Sequence, residues 1–280
     1  MAPPPRCTTA LGATDGPWEG CVPWPMARLD VPAARSQLDA TLHAAGTPER
    51  AAQEKRYLKS DVRHHGATMP VINRVTRAFS DARPELTRED LRDLVEALWE
   101  SEVHELRMTA VELMTLRSAL LEPESDLAWL EPLLRTARTW ALVDPLAAEV
   151  VGPLADRAPD GARALLDRWA TDEDPWMRRA VLLRFLLPLR RGERTAFATF
   201  AAYADGMLEE KEFFIRKAIG WVLREYGKRQ PEEVAGWLEP RLTRAAGLTV
   251  REACKRLPDA TREALLAARK AHAPGAGRTT

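Results

Sequence analysis

Cysteine is scarce and unpatterned: Cys7, Cys21 and Cys254 are the only three in 280 residues, an odd number without metal-ligand spacing. That argues against a disulfide framework and suits a reducing cytoplasm. No run approaches the roughly 18 apolar residues a membrane helix requires, so no membrane partner is expected. The opening residues are broken by Pro3, Pro4 and Pro5 and do not read as a signal peptide. Net charge is missing too, with 41 Lys plus Arg against 41 Asp plus Glu. A nucleic-acid partner is therefore not announced by overall charge and has to be sought in its local distribution. Strand-like alternation is also absent, which leaves helices.

Hydrophobic residues make up 45% of the chain, enough for a sizeable core, and charged residues 29%, enough to solvate its surface. Among the aromatics, 9 are Trp against 3 Tyr and 6 Phe. Trp ordinarily fills cores, so an informative Trp is one on a face the core does not need. Residues 1–30 are rich in Pro and Gly and lack periodicity. They read as a disordered extension, with Met26 as an alternative start; 273–280 reads as a similar tail. The intervening 31–272 reads as one helical domain punctuated by breakers such as Gly66 with Pro70, Pro123, Gly152 with Pro153, Gly192 and Pro231. Thr87 with Asp90 has the form of a capping box, and Asp174 before Pro175 that of an N-cap with proline in first position.

Comparing the helices reveals an internal repeat. Ala110, Ala147, Ala180, Ala218 and Ala253 superpose in one alignment, at intervals of about 33–38 residues. Such a period suits stacked helical hairpins, in which small residues let neighbouring helices approach. The expected fold is all-α: a curved α-solenoid of antiparallel helical repeats, whose concave side is a binding surface by default.

The segment Glu210–Val234 holds the strongest signal. At 100° per residue Ile215, Ala218, Ile219, Val222 and Tyr226 share a core-facing stripe. Lys217, Trp221, Arg224 and Lys228 follow i, i+4, i+7, i+11 on the opposite face. A charge stripe alone is usually only solvated. An indole among three cations on a face the core does not use is different: cations attract phosphates, and the indole offers a flat face to a sugar or base.

That segment, KEFFIRKAIGWVLREY (Lys211–Tyr226), resembles the signature of the AlkD-like alkylpurine DNA glycosylases. Four further pieces resemble that family in the same order: RYLKSDVRHHG (Arg56–Gly66), LWESEVHELRMTAVELM (Leu98–Met114), TWALVD (Thr139–Asp144) and DPWMRRAVLL (Asp174–Leu183). The resemblance spans about residues 35–265. It implies a stack of HEAT-like repeats and a monofunctional glycosylase that hydrolyses the N-glycosidic bond of cationic N3- or N7-alkylated bases in duplex DNA, in base excision repair. Residue by residue, it implies Asp144 as the catalytic carboxylate, Trp140 and Trp221 as the aromatic pair flanking the lesion nucleotide, Arg179 as a DNA contact at the lesion, and Tyr57 in the same cleft. Arg224 is a backbone contact suggested as much by the stripe as by the family, and Lys217 and Lys228 would hold phosphates with it. No cofactor and no metal are implied. The expected protein is a monomer of the bacterial cytosol or nucleoid that acts on alkylated duplex DNA.

Three local features have plainer readings. Asp144 precedes Pro145, which in isolation reads as a helix N-cap and first residue; a carboxylate spending its oxygens on backbone amides would be less basic. His64 and His65 are adjacent, diverge on a helix and have no third ligand nearby in sequence, so no metal site is expected. Cys254 reads as a small core residue. Against the glycosylase stand two alternatives: a non-catalytic HEAT-like DNA binder and a protein scaffold. The scaffold does not account for Trp140, Asp144, Arg179 and Trp221 occurring together, and the presence of Asp144 with both Trp residues argues against a binder that has lost excision.

Overall fold

A computed structural model of the protein describes residues 28–271. The expected extension and tail, Met26, Cys7 and Cys21 lie outside the described residues, except that Arg28–Asp30 precede the first helix. Leu29 donates its backbone N–H to Asp90 (3.1 Å) and Arg28 pairs with Asp93 (2.8 Å).

The described chain is built of helices joined by short loops. In order the helices are α1 (Val31–Ala45), α2 (Pro48–Leu58), α3 (Met69–Asp81), α4 (Arg88–Trp99), α5 (His104–Leu116), α6 (Pro123–Ala137), α7 (Trp140–Pro145), α8 (Gly152–Arg157), α9 (Pro159–Ala170), α10 (Pro175–Leu183), α11 (Leu186–Arg191), α12 (Arg194–Gly206), α13 (Phe213–Gly227), α14 (Pro231–Leu238), α15 (Gly247–Ala253) and α16 (Asp259–Ala271). A π-helical segment, Leu146–Val151, joins α7 to α8. Among the described residues the one extended pairing is an isolated parallel bridge between Arg63 and Val103. Local chemistry starts the helices as anticipated. Thr87 and Asp90 exchange both bonds of a capping box on α4, and Asp174 accepts from Trp176 N at the start of α10.

The repeat is the architecture. Ala110, Ala147, Ala180, Ala218 and Ala253 are all fully buried, on α5, the π segment, α10, α13 and α15, and each of these elements packs on the next. The result is an α-solenoid. Its period returns in the side-chain bonds, because residues one repeat apart are neighbours in space. Trp169 reaches Glu131 across 38 residues, Arg135 reaches Asp172 across 37, and Arg241 reaches Asp205 across 36. One core runs continuously from Ala34 to Leu265. Gly220 makes the close approach of α13 and α15 possible: a Cβ there would sit 2.5 Å from Glu252 Cβ and 2.8 Å from the Thr249 carbonyl on α15. Helix α2 is weakly anchored by apolar contacts, since Leu58 is its one buried residue.

Candidate functional site

Helix α7 carries two of the site residues on one face. Thr139 is its N-cap, with its hydroxyl accepting from Ala141 N, and Trp140 is its first residue. Asp144, four residues on, projects beside Trp140. The isolated reading of Asp144–Pro145 as a helix start is thereby corrected. Pro145 lies inside continuous helix, with φ −66 and ψ −39. Having no N–H, it cannot donate to Ala141, and the ladder shifts into the π-helical segment that follows. Asp144 caps nothing: both its oxygens accept from Arg179, Oδ1 from Nε and Oδ2 from Nη2, each at 2.7 Å.

Arg179 comes from α10, where it immediately precedes the repeat alanine Ala180. Its Nη1 donates to the Phe214 carbonyl, and its guanidinium lies 5.7 Å from the Phe214 ring centroid. Asp144 is 8% and Arg179 3% exposed. Burial pushes the Asp144 carboxyl above its ordinary value, and the bonds and charge of Arg179 pull against that. The fork geometry fixes the orientation of the carboxylate.

Around this pair lies an open cleft of about 450 Å³, lined by Tyr57, Trp140, Asp144, Arg179, Phe213, Phe214, Lys217, Trp221 and Arg224. Tyr57, at 72% exposure, stands at its mouth and meets Trp140 edge to face at 5.9 Å. Phe213, 53% exposed, stands there too and meets Phe214 edge to face at 5.2 Å. Trp140 and Trp221 are half-buried. The core stripe of α13 is as expected, with Ile215, Ala218, Ile219, Val222 and Tyr226 fully buried.

The basic stripe is in place, but its cations are paired. Glu252 of α15 sits among Arg224 (2.7 Å), Lys255 (2.5 Å) and Lys217 (3.7 Å). Glu225 receives Lys228 at 2.6 Å and Arg190 at 3.2 Å. Burial raises both carboxyls, yet the surrounding cations outweigh it and each ends below its ordinary value. Lys228 lies apart from the cleft, in a neighbouring hollow with Arg224, Glu225, Lys255 and Arg256.

Sequence reasoning missed Phe213 and Phe214. The signal was available, because Phe214 is three residues before Lys217 and seven before Trp221, and Phe213 is four before Lys217. The stripe could have been extended back one turn. Glu252, from a different repeat, left no such trace. His64, without a third ligand nearby in sequence, is met in space by more distant residues: Glu54, His64 and His104 converge, each offering a ligand atom within 4.8 Å of the others.

The fold has counterparts among solved structures. A predicted DNA alkylation repair enzyme from Enterococcus faecalis superposes with a TM-score of 0.63 at 24% identity, covering 76% of this chain and 97% of its own. AlkD2 from Streptococcus mutans superposes with a TM-score of 0.58 at 16% identity, covering 81% and 99%. The protein smu.31 from Streptococcus mutans UA159 does so with a TM-score of 0.51 at 18% identity, covering 67% and 98%. Among curated protein sequences none matches the chain. The family model described as DNA alkylation repair enzyme matches residues 38–257, and the chain belongs to that family.

Proposed function

We propose that the protein is a DNA glycosylase that releases cationic N3- or N7-alkylated bases from duplex DNA. The observation that supports this most is the placement of Asp144: a buried carboxylate, held by Arg179, in the floor of an aromatic-walled cleft flanked by cations.

Alkylation at N3 or N7 gives a purine a formal positive charge and makes it a good leaving group, so no general acid is required. As the N-glycosidic bond lengthens, positive charge moves to the deoxyribose and the transition state resembles an oxocarbenium ion. Asp144 stabilises that charge and orients water toward C1′. Its oxygens keep lone pairs beyond those accepting from Arg179, and the ion pair holds them in place before substrate arrives. The faces of Trp140 and Trp221 carry negative quadrupole charge and favour a cationic sugar between them. Tyr57 and Phe213 at the mouth offer further faces. Arg179, with its Nε, Nη1 and Nη2 engaged inside the protein, positions Asp144 and keeps only its remaining N–H groups for DNA. Lys217 and Arg224, and Lys228 beside them, hold phosphates, for which Glu252 and Glu225 stand in when DNA is absent.

The cleft is open rather than a deep pocket, so selectivity rests on the lability of the lesion, and neutral adducts are poor substrates. The protein acts as a monomer in the cytosol and nucleoid, which leaves the cleft accessible to duplex DNA. The test is incubation with duplex DNA containing N7-methylguanine, scoring free base by chromatography. Release is expected. Binding without release would instead make the protein a non-catalytic DNA binder.

A further inference from the structure

The second buried polar cluster lies behind α2, outside the cleft. It is assembled by backbone pairing. Arg63 N donates to the Glu102 carbonyl (2.9 Å) and His104 N to the Arg63 carbonyl (2.9 Å). This is the parallel bridge of Arg63 with Val103. In parallel register the next residues on each strand are neighbours, and they are His64 and His104. The loop is tied from beneath by Glu105, whose carboxylate accepts from the backbone N–H groups of His65 (2.9 Å), Gly66 (2.6 Å) and Ala67 (3.2 Å).

The two imidazoles stack with centroids 4.6 Å apart. The His64 side chain is 1% exposed and His104 is 4% exposed. Glu54 approaches from α2, with Oε2 3.4 Å from His64 Nδ1, while its Oε1 accepts from Arg50 at 3.2 Å. Hydrogen bonding here is incomplete. His64 Nε2, His104 Nδ1 and Arg50 Nε are buried without a partner, half of the six such side-chain atoms among the described residues. Buried polar atoms are almost always satisfied, and a concentration of unsatisfied ones marks a ligand or strain. Helix α2, meanwhile, has one buried residue to hold it.

We infer that Glu54, His64 and His104 form a binding site for one divalent transition-metal ion of the zinc class, which clips α2 to the loop and to α5. Two imidazole nitrogens and a carboxylate oxygen are a borderline-soft donor set that suits zinc, with water completing a tetrahedron. Nearly parallel rings cannot both aim an in-plane lone pair at one ion. Binding therefore turns one ring about its Cβ–Cγ bond, against the 3.4 Å contact to Glu54 and the packing around the two buried rings. The clip reaches the cleft through one turn of helix, because Tyr57 is three residues beyond Glu54. The ion acts on structure, so the site stands whether or not the glycosylase reading does.

The experiment uses the full chain, stripped with EDTA and dialysed. Zn²⁺ is titrated by calorimetry, Co²⁺ by visible absorption, and melting temperature is followed alongside. One Zn²⁺ per chain is expected, with a tetrahedral Co²⁺ band and a higher melting temperature. Glu54→Gln and His64→Asn should each weaken binding by roughly 100-fold or more and remove the band. His43→Asn, outside the cluster, should change neither. Glu54→Gln is isosteric at a position whose side chain is 20% exposed, so its fold, checked by circular dichroism, is expected to survive. Folded wild-type protein that takes up no Zn²⁺ overturns the inference. So does Zn²⁺ uptake that both Glu54→Gln and His64→Asn leave unchanged.

Discussion

Two buried carboxylates pair with cations that line the same cleft, and the protein treats them in opposite ways. Asp144 is buried beside a single arginine, and desolvation leaves its pKa raised. Glu252, on α15 packed against α13, is ringed by Lys255, Lys217 and Arg224, and its pKa ends lowered. The first meets one cation through both oxygens, the second meets three; on the proposed mechanism the first would act on the substrate and the second would yield its cations to DNA. Charge type alone therefore does not identify a catalytic group. What separates the two is how many cations surround each and how much aromatic surface walls it.

The largest expected effect breaks the first member of the pair. Asp144→Asn keeps size but cannot match both arms of Arg179. Single-turnover release of N7-methylguanine should slow by about 10²–10³ with duplex affinity nearly intact, because the lost interaction belongs to the transition state. Since Arg179 stays buried, stability should fall as well, by roughly 3 kcal/mol, the lower end for a broken buried pair, read as a lower melting temperature. Wild-type release by this variant would remove Asp144 from the mechanism.

Arg179→Ala sharpens the same contrast through pH. Release needs the ionised carboxylate, so the wild-type rate falls as pH drops through the Asp144 pKa. Without Arg179 the influence opposing burial is gone, the pKa rises further, and the acid limb should move to higher pH. Stability should respond with the opposite sign. A carboxyl whose folded pKa exceeds its unfolded one stabilises below the unfolded value and loses that contribution as pH rises through the folded one. Acidification should thus ease the stability defect while it stops catalysis. Rate and melting profiles in parallel check both, and an unmoved acid limb would mean that Asp144 does not set it.

Gly220→Ala tests the close approach that brings Glu252 to the stripe. A Cβ there meets both Glu252 and backbone, so α15 must shift, at a cost of roughly 1–3 kcal/mol. A melting temperature equal to wild type would show that α15 moves away freely. The smallest effect is expected from Glu252→Gln, which frees Arg224 and Lys217. Duplex affinity at low salt should rise a few-fold, and the slope of log affinity against log salt should steepen by about one. Fluorescence anisotropy at several salt concentrations measures both, and an unchanged slope would remove these cations as phosphate contacts.

Much of this was legible in the sequence because it depends on periodicity. The buried alanines, the core stripe of α13, the capping box at Thr87 and the N-cap at Asp174 follow from spacing along one helix or from one repeat to the next. Trp140 and Asp144 belong to that class, since four residues on a helix share a face. The misreading of Asp144–Pro145 was local too: Thr139 had already capped the helix, and a proline within a formed helix shifts its ladder instead of starting one.

Sequence by itself determined the all-helical stack, its single-repeat period and the face of α13 that turns from the core, because each is set by side-chain chemistry at fixed intervals along the chain. Tertiary structure alone decided that Arg179 would close on Asp144, that Glu252 would occupy the cations of the stripe, and that Glu54 and His104 would meet His64. These partners lie 35, 28 and 35, and 10 and 40 residues apart. Such meetings depend on how closely neighbouring repeats approach and where one short bridge aligns two backbones, and no spacing within a helix encodes that.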